Sequence, residues 1–242
     1  MAENKVKGVC DIVFLIDATG SMQPSIDDIK NNIKLFFKTL SETDANGGAI
    51  VKDWRARVIG YRDAESDGSD WYVSNPFTRD PAAIEAQLDA IQAKGGGDEP
   101  ESLLDALYKV AKFGNTDKCA QEEDVEKWRY RSDAARCVIV FTDASFVETT
   151  KLAEAPGLTW EDVANLAMQE RLRISLFAPQ MDCYDNLSQI DKCEYMAIPF
   201  DPAVKNDAVM KLRDYTADTA NFQKTLIQLA KTVSVSASVD TL

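Results

Sequence analysis

The sequence predicts an α/β fold: a doubly wound, mostly parallel central sheet with helices on both faces, of Rossmann-like type. Three observations carry this. Short apolar runs such as Val9–Ile16 and Cys137–Phe141 alternate with stretches whose apolar residues recur at helical spacing. The runs are apolar almost throughout, as strands covered on both faces require. The chain has 242 residues, 45% of them hydrophobic, which is enough for one well-buried core.

Each element follows from its residues. Val9–Ile16 reads as the first strand. Ile26, Ile29, Ile33, Phe36, Phe37 and Leu40 mark a helix, with Pro24 near its start, and Asn46-Gly-Gly48 a loop. Trp54–Tyr61 is a strand, and Trp71–Val73 a short edge strand. Ile84, Leu88 and Ile91 mark a short helix after Pro81, which Gly95-Gly-Gly97 ends. Leu103, Leu104, Leu107, Val110 and Ala111 mark the third helix. Residues 114–133 are polar and charged and read as a surface excursion. Within it, Trp128-Arg-Tyr-Arg131 reads as a solvated loop, with an interaction patch as the alternative. Cys137–Phe141 is a buried strand, Trp160–Glu170 a helix, and Ile174–Phe177 and Tyr195–Ile198 strands. Phe222, Leu226, Leu229 and Val233 give a last amphipathic helix. The domain expected is 9–233, with an extension at 1–8 and a fraying tail at 234–242.

Composition narrows the function. Lys and Arg total 27 against 40 Asp plus Glu, a formal charge of -13. Such a surface repels nucleic acid and anionic membrane, so neither is an expected partner. The chain has no histidine, which removes Ser-His-Asp and Cys-His catalysis and His-based zinc sites. Its five cysteines show no C-x-x-C spacing. Cys10 and Cys137 read as small buried hydrophobes. Cys183 and Cys193 could pair in an oxidising compartment, but reduced thiols are the simpler expectation. The sequence shows no signal-peptide pattern and no span of roughly 20 apolar residues, so a cytoplasmic setting is expected.

In open sheets of this type, sites form at the carboxyl ends of the strands. Three acidic loops fall there. The first is Asp17-Ala-Thr-Gly-Ser21, where a carboxylate and two hydroxyls alternate after the first strand. Oxygen donors of this kind suit a hard cation such as Mg²⁺. Hydroxyls in place of further carboxylates leave the ion electrophilic and able to accept a carboxylate from outside. The blander account is that Thr19 or Ser21 caps the first helix. The second loop is Gly95-Gly-Gly-Asp-Glu-Pro-Glu101, where Asp98 and Glu101 also fit a capping box. The third is Thr142-Asp143.

These residues resemble the von Willebrand factor type A domain from about Val9 to Val233, in its intracellular, single-domain form. The metal-ion-dependent adhesion site of that family has Asp-x-Ser-x-Ser after the first strand, matched by Asp17-x-Thr19-x-Ser21. The resemblance implies Asp143 as the third-loop residue and either Asp98 or Glu101 from the second, Glu101 being favoured. The metal set is therefore Asp17, Thr19, Ser21, Asp98, Glu101 and Asp143, holding Mg²⁺, with Mn²⁺ or Ca²⁺ as substitutes. It implies a non-enzymatic protein-interaction module that captures a partner's Asp or Glu carboxylate, an adaptor in a cytoplasmic assembly. Gly60-Tyr-Arg-Asp63 also resembles intracellular members, where Asp63 either supports the site or caps a turn. Two other classes stand beside this one. A Mg²⁺-dependent phosphatase of haloacid-dehalogenase type also starts from an Asp at a first strand, but it needs a second Asp where Thr19 stands. A metal-free structural subunit would use the loops as caps only.

Overall fold

The computed structural model describes residues 8–40, 51, 53–97 and 99–226. Its centre is a six-stranded sheet built from β1 (Val9–Asp17), β2 (Asp53–Tyr61), β3 (Tyr72–Ser74), β4 (Ala135–Phe141), β5 (Leu172–Pro179) and β6 (Cys193–Ile198). The strand order is β3-β2-β1-β4-β5-β6. All neighbours run parallel except the short edge strand β3, which is antiparallel to β2. The doubly wound fold expected from the sequence is thus observed. From β1 the chain winds outward through β2 and β3, then crosses back to β4 on the other side of β1. That reversal opens a crevice at the carboxyl ends of β1 and β4.

The helices are α1 (Gln23–Leu40), α2 (Pro81–Ala90), α3 (Leu103–Ala111), α4 (Trp160–Gln169), α5 (Asp182–Leu187) and α6 (Asp207–Ala217). Residues 219–226 are again helical. Alternate residues of β1 serve opposite faces. Cys10, Ile12, Phe14 and Ile16 pack with Ile26, Ile29, Ile33, Phe36 and Phe37 of α1, and with Leu212, Phe222 and Leu226. Val13 and Leu15 face α3, α4 and α5. Phe14 meets Phe36 and Phe37 edge-on, with ring centroids 6.1 and 5.6 Å apart. Phe222 and Leu226 are buried as the last amphipathic pattern predicts, while its Leu229 and Val233 lie outside the described residues. The Asn46–Gly48 loop, residues 1–7 of the extension and the 234–242 tail lie outside them too.

Three expectations need correction. The 114–133 stretch is not simply a solvated excursion. Trp128 is fully buried and its indole Nε1 donates to the Val110 carbonyl at 2.9 Å. Arg129 is buried against Asp11, donating from Nε to Oδ1 and from its backbone N to Oδ2, both at 2.7 Å. The polar residues of this segment mask two anchors, so neither the solvated loop nor the exposed patch describes Trp128 and Arg129. Second, α3 has no Asp98–Glu101 capping box. Ser102 precedes the helix, and Glu101 lies outside it in a parallel bridge to Phe146. Third, α5 and α6 escape the sequence pattern. In α6 only Leu212 and Thr216 are buried, too thin a stripe to register as periodicity. All five cysteines are free thiols, Cys10 and Cys137 fully buried. No helix among the described residues is long and apolar enough to cross a membrane.

Candidate functional site

The crevice beside β1 is built by backbone hydrogen bonds between loops distant in sequence. Gly20 N donates to Gly95 O at 3.1 Å, and Lys94 N to Ala18 O at 3.0 Å. Glu101 N donates to Ser145 O and Val147 N to Glu101 O, both at 2.9 Å. The loop before α3 is thereby fastened to the ends of β1 and β4. Close approach has a steric requirement at Gly96. Its φ is +95°, and a Cβ there would lie 2.6 Å from Thr19 Cβ. Gly96 N is held in turn by Asp67 Oδ2 at 2.8 Å.

Side chains form a chain of oxygens across this crevice. Asp17 is fully buried. Its Oδ1 accepts from Thr19 N at 2.9 Å and Thr19 Oγ1 at 2.7 Å, and its Oδ2 accepts from Thr142 Oγ1 at 2.8 Å. Ser21 Oγ donates to Asp143 Oδ1 at 3.0 Å. The Thr19 and Ser21 hydroxyl oxygens stand 3.1 Å apart. Since each donates its proton to a carboxylate, both hydroxyls keep lone pairs free. Two further acceptor atoms have no hydrogen-bond partner among the described residues: Glu101 Oε2 and Asp143 Oδ2, both buried. Thr19, Ser21, Glu101 and Asp143 all line one cavity of about 460 Å³.

The electrostatics are strained in one direction. Burial, and then the negative field of Asp17, Asp63, Asp143 and Asp67, push the Glu101 carboxyl up to about 9. Burial and the neighbouring Asp17 push Asp143 up to about 7 against the Ser21 hydrogen bond. Burial also raises Asp17, although Thr19, Thr142 and the Arg62 charge oppose it. Acceptors crowded together with too few donors call for a cation.

Of the six residues singled out from the sequence, Thr19 is hydrogen-bonded to Asp17 and Ser21 to Asp143, the two hydroxyl oxygens stand side by side, and Glu101 joins them around the cavity. Asp98 lies outside the described residues. Among the described residues, no three His, Cys, Asp or Glu side chains are gathered into a ready-made metal cage. An ion here would also need the Thr19 and Ser21 hydroxyls as ligands. Neither hydroxyl is a helix cap: the 3₁₀ turn at Gly20–Met22 has Thr19 at its start without a side-chain capping bond. Asp63 caps a turn, accepting from Glu65 N and Ser66 N at 2.6 Å.

Sequence reasoning included two contributors in its motifs, Thr142 and Arg62, without giving either a role. Thr142 orients Asp17, and its signal was a hydroxyl directly following an apolar strand. Arg62, buried behind the site, donates from Nε to Ala18 O at 3.0 Å and from Nη2 to Gln92 O at 2.8 Å. It ties the first two loops together and places a positive charge near Asp17. An Arg just past a buried strand was the available sign.

Solved structures that share this fold include the following two. Proximal thread matrix protein 1 from the mussel byssus, described with a zinc-occupied MIDAS motif, aligns at TM-score 0.50 and 15% identity, over 91% of this chain and 46% of its own. The pilus adhesin SpaC from Lactobacillus rhamnosus GG aligns at TM-score 0.50 and 14% identity, over 93% of this chain and 31% of its own. This chain therefore spans less than half the length of either. No curated protein matches the sequence significantly. Residues 11–113, which hold the first loop and the Glu101 loop, match the family model of the von Willebrand factor A domain.

Proposed function

We propose that this protein is a divalent-metal-dependent protein-interaction module, not an enzyme, that binds Mg²⁺ between the β1, α3 and β4 loops and captures a carboxylate from a partner. One observation carries the reading: two hydroxyl oxygens with committed protons and two unpartnered carboxylate oxygens line a single cavity. The 3.1 Å spacing of the Thr19 and Ser21 oxygens supports the choice of ion. Octahedral Mg²⁺ with bonds of about 2.0–2.1 Å places neighbouring ligands about 2.9 Å apart. Thr19 and Ser21 would be direct ligands, with Glu101 and Asp143 supplying the charge. Asp17, with both oxygens engaged, would orient the hydroxyls from beneath. When bound, the ion supplies a Lewis-acidic position open to an external Asp or Glu. The von Willebrand A match over residues 11–113, and the metal-occupied motif of the mussel protein, agree with this use of the fold. An adaptor role in a cytoplasmic assembly remains part of the proposal.

The test is thermal unfolding in a chelator, then in excess MgCl₂, MnCl₂ or CaCl₂. Metal at a hundred times its Kd stabilises by about 2.7 kcal/mol, which is roughly 5–10 °C for a chain of this size. Asp17→Ala should abolish the rise. Ser21→Ala, at an exposed position, should do the same without risk to the core. No shift with any of the three metals would refute the proposal.

A further inference from the structure

The two edges of the sheet are finished differently. On the outer side of β2, Ala56 and Thr78 exchange backbone hydrogen bonds of 2.8 Å, and β3 pairs with residues 59–61. Between them Val58 N donates to Gln87 Oε1 and Asn75 Nδ2 donates to Val58 O, both at 2.8 Å. That edge is closed. β6 pairs with β5 on one side, and no strand among the described residues lies on its other side. Gln180 N donates to Ile198 O at 2.9 Å, so the backbone of Ile198 faces β5. Alternation along the parallel ladder then turns the N–H and C=O groups of Tyr195 and Ala197 outward. Open edges are commonly blunted by Lys, Pro or a bulge. β6, Cys-Glu-Tyr-Met-Ala-Ile, has no Lys or Pro and one charge, Glu194. Cys193, Tyr195 and Met196 are only half-buried and Ala197 is exposed, whereas β5 is buried almost throughout.

The sequence beyond the last described residue, Leu226, carries a segment of matching character: Thr232-Val-Ser-Val-Ser-Ala-Ser-Val239. Val233, Val235, Ala237 and Val239 alternate with three serines, and the stretch has no charge, Pro or Gly. Strict alternation is the period of a strand covered on one face. Val233 also fits the last helical pattern, but Val235 and Val239 fit only the alternation. A strand is not stable alone in water and needs an edge to pair with. The β6 edge is within reach. Phe222 packs on Phe177 of β5, with ring centroids 5.5 Å apart, and β6 lies one strand spacing of about 4.8 Å further out. The seven residues from Leu226 to Val233 extend to about 23 Å. We propose that residues 232–239 add to the open edge of β6 as a seventh strand of the same chain, paired to the outward backbone groups of Tyr195 and Ala197. Tethering favours this segment over the same segment of a second copy, because a short linker holds it at an effective concentration in the millimolar range. The edge is thereby closed to other chains. The fraying tail expected from small, polar composition gives way to a strand whose period those residues carry.

The test is amide hydrogen exchange on the full chain, resolved to single residues, with light scattering across an about 100-fold range of protein concentration. Amides within 232–239 should exchange at least about tenfold more slowly than an unstructured chain, and so should those of Tyr195 and Ala197. Val235→Pro combined with Ser236→Pro removes two neighbouring N–H donors, one of which faces β6 in either register. That pair should release the segment and speed exchange at Tyr195 and Ala197 at least about tenfold, leaving β1 unchanged. Val235→Ile should keep both sets protected. Three results would each overturn the proposal: exchange of 232–239 at the unstructured rate, protection of Tyr195 and Ala197 that ignores the proline pair, or protection that appears only as dimers form. The last would assign the edge to a second copy.

Discussion

Glu101 is buried with an unpartnered Oε2 among Asp17, Asp63, Asp67 and Asp143. A buried acceptor without a donor costs about 1–3 kcal/mol, and neighbouring like charges add to it. Glu101→Gln keeps the shape and supplies a donor. Without metal it should raise the urea unfolding free energy by about 1–3 kcal/mol, and it should shrink the stabilisation that MgCl₂ adds. A variant that loses stability in EDTA would show that the carboxylate serves the fold rather than an ion. The sequence made Asp17, Thr19 and Ser21 legible because one strand end carries all three. Glu101 was harder to read. Asp98 and Glu101 at a spacing of three suit either a cap or a ligand, and only the bridge to Phe146 takes Glu101 out of the helix.

At the scale of elements, the opposite end of the sheet holds a second buried acid. Asp11 is fully buried, and it accepts from Arg55 Nε at 2.8 Å, Arg55 Nη2 at 2.9 Å and Arg129 Nε at 2.7 Å. Arg55 comes from β2 and Arg129 from the 114–133 segment, so Asp11 staples that segment to β1. Arg55 also stacks over Phe77, 4.5 Å from its ring centre. Removing one member of such a group strands the others in a dry interior. Asp11→Asn should therefore cost about 3–5 kcal/mol in chemical denaturation, with the tryptophan fluorescence of Trp128 changing in the same transition. A loss below about 1 kcal/mol would place this group in the class of weak surface pairs. No spacing rule announces this cluster, because its members lie 44 and 118 positions from Asp11.

For the whole molecule, acid stability follows from the outer part of the same network. Arg79 donates from Nε to Asp53 Oδ1 at 2.8 Å and from Nη2 to Glu123 Oε1 at 2.8 Å, and Arg129 also reaches Asp53. Partial burial works against ionisation of Asp53, but these arginines outweigh it and hold its carboxyl below the usual range. The Arg79 hydrogen bonds do the same for Glu123. Because both folded values are depressed, their stabilisation is complete above the unfolded values of about 3.9 and 4.3. It is lost as pH falls through the lower folded ones. The urea midpoint should fall on acidification from about pH 5 to 3, and Arg79→Gln should flatten that fall. An unchanged pH profile in Arg79→Gln would show that other carboxylates govern acid unfolding.

The sequence by itself determined the sheet, its winding and the first loop of the candidate site. Those depend on local periodicity and on three residues next to one strand end. Tertiary structure alone decided that Glu101 leaves its helix, that Thr142 and Arg62 brace Asp17, that Trp128 and Arg129 are anchors, and that the β6–α6 connection walls the cavity. Each of these is a contact between residues far apart in the chain. Their chemistry is set by burial and by which unpaired atoms meet, and neither quantity exists until the chain has folded.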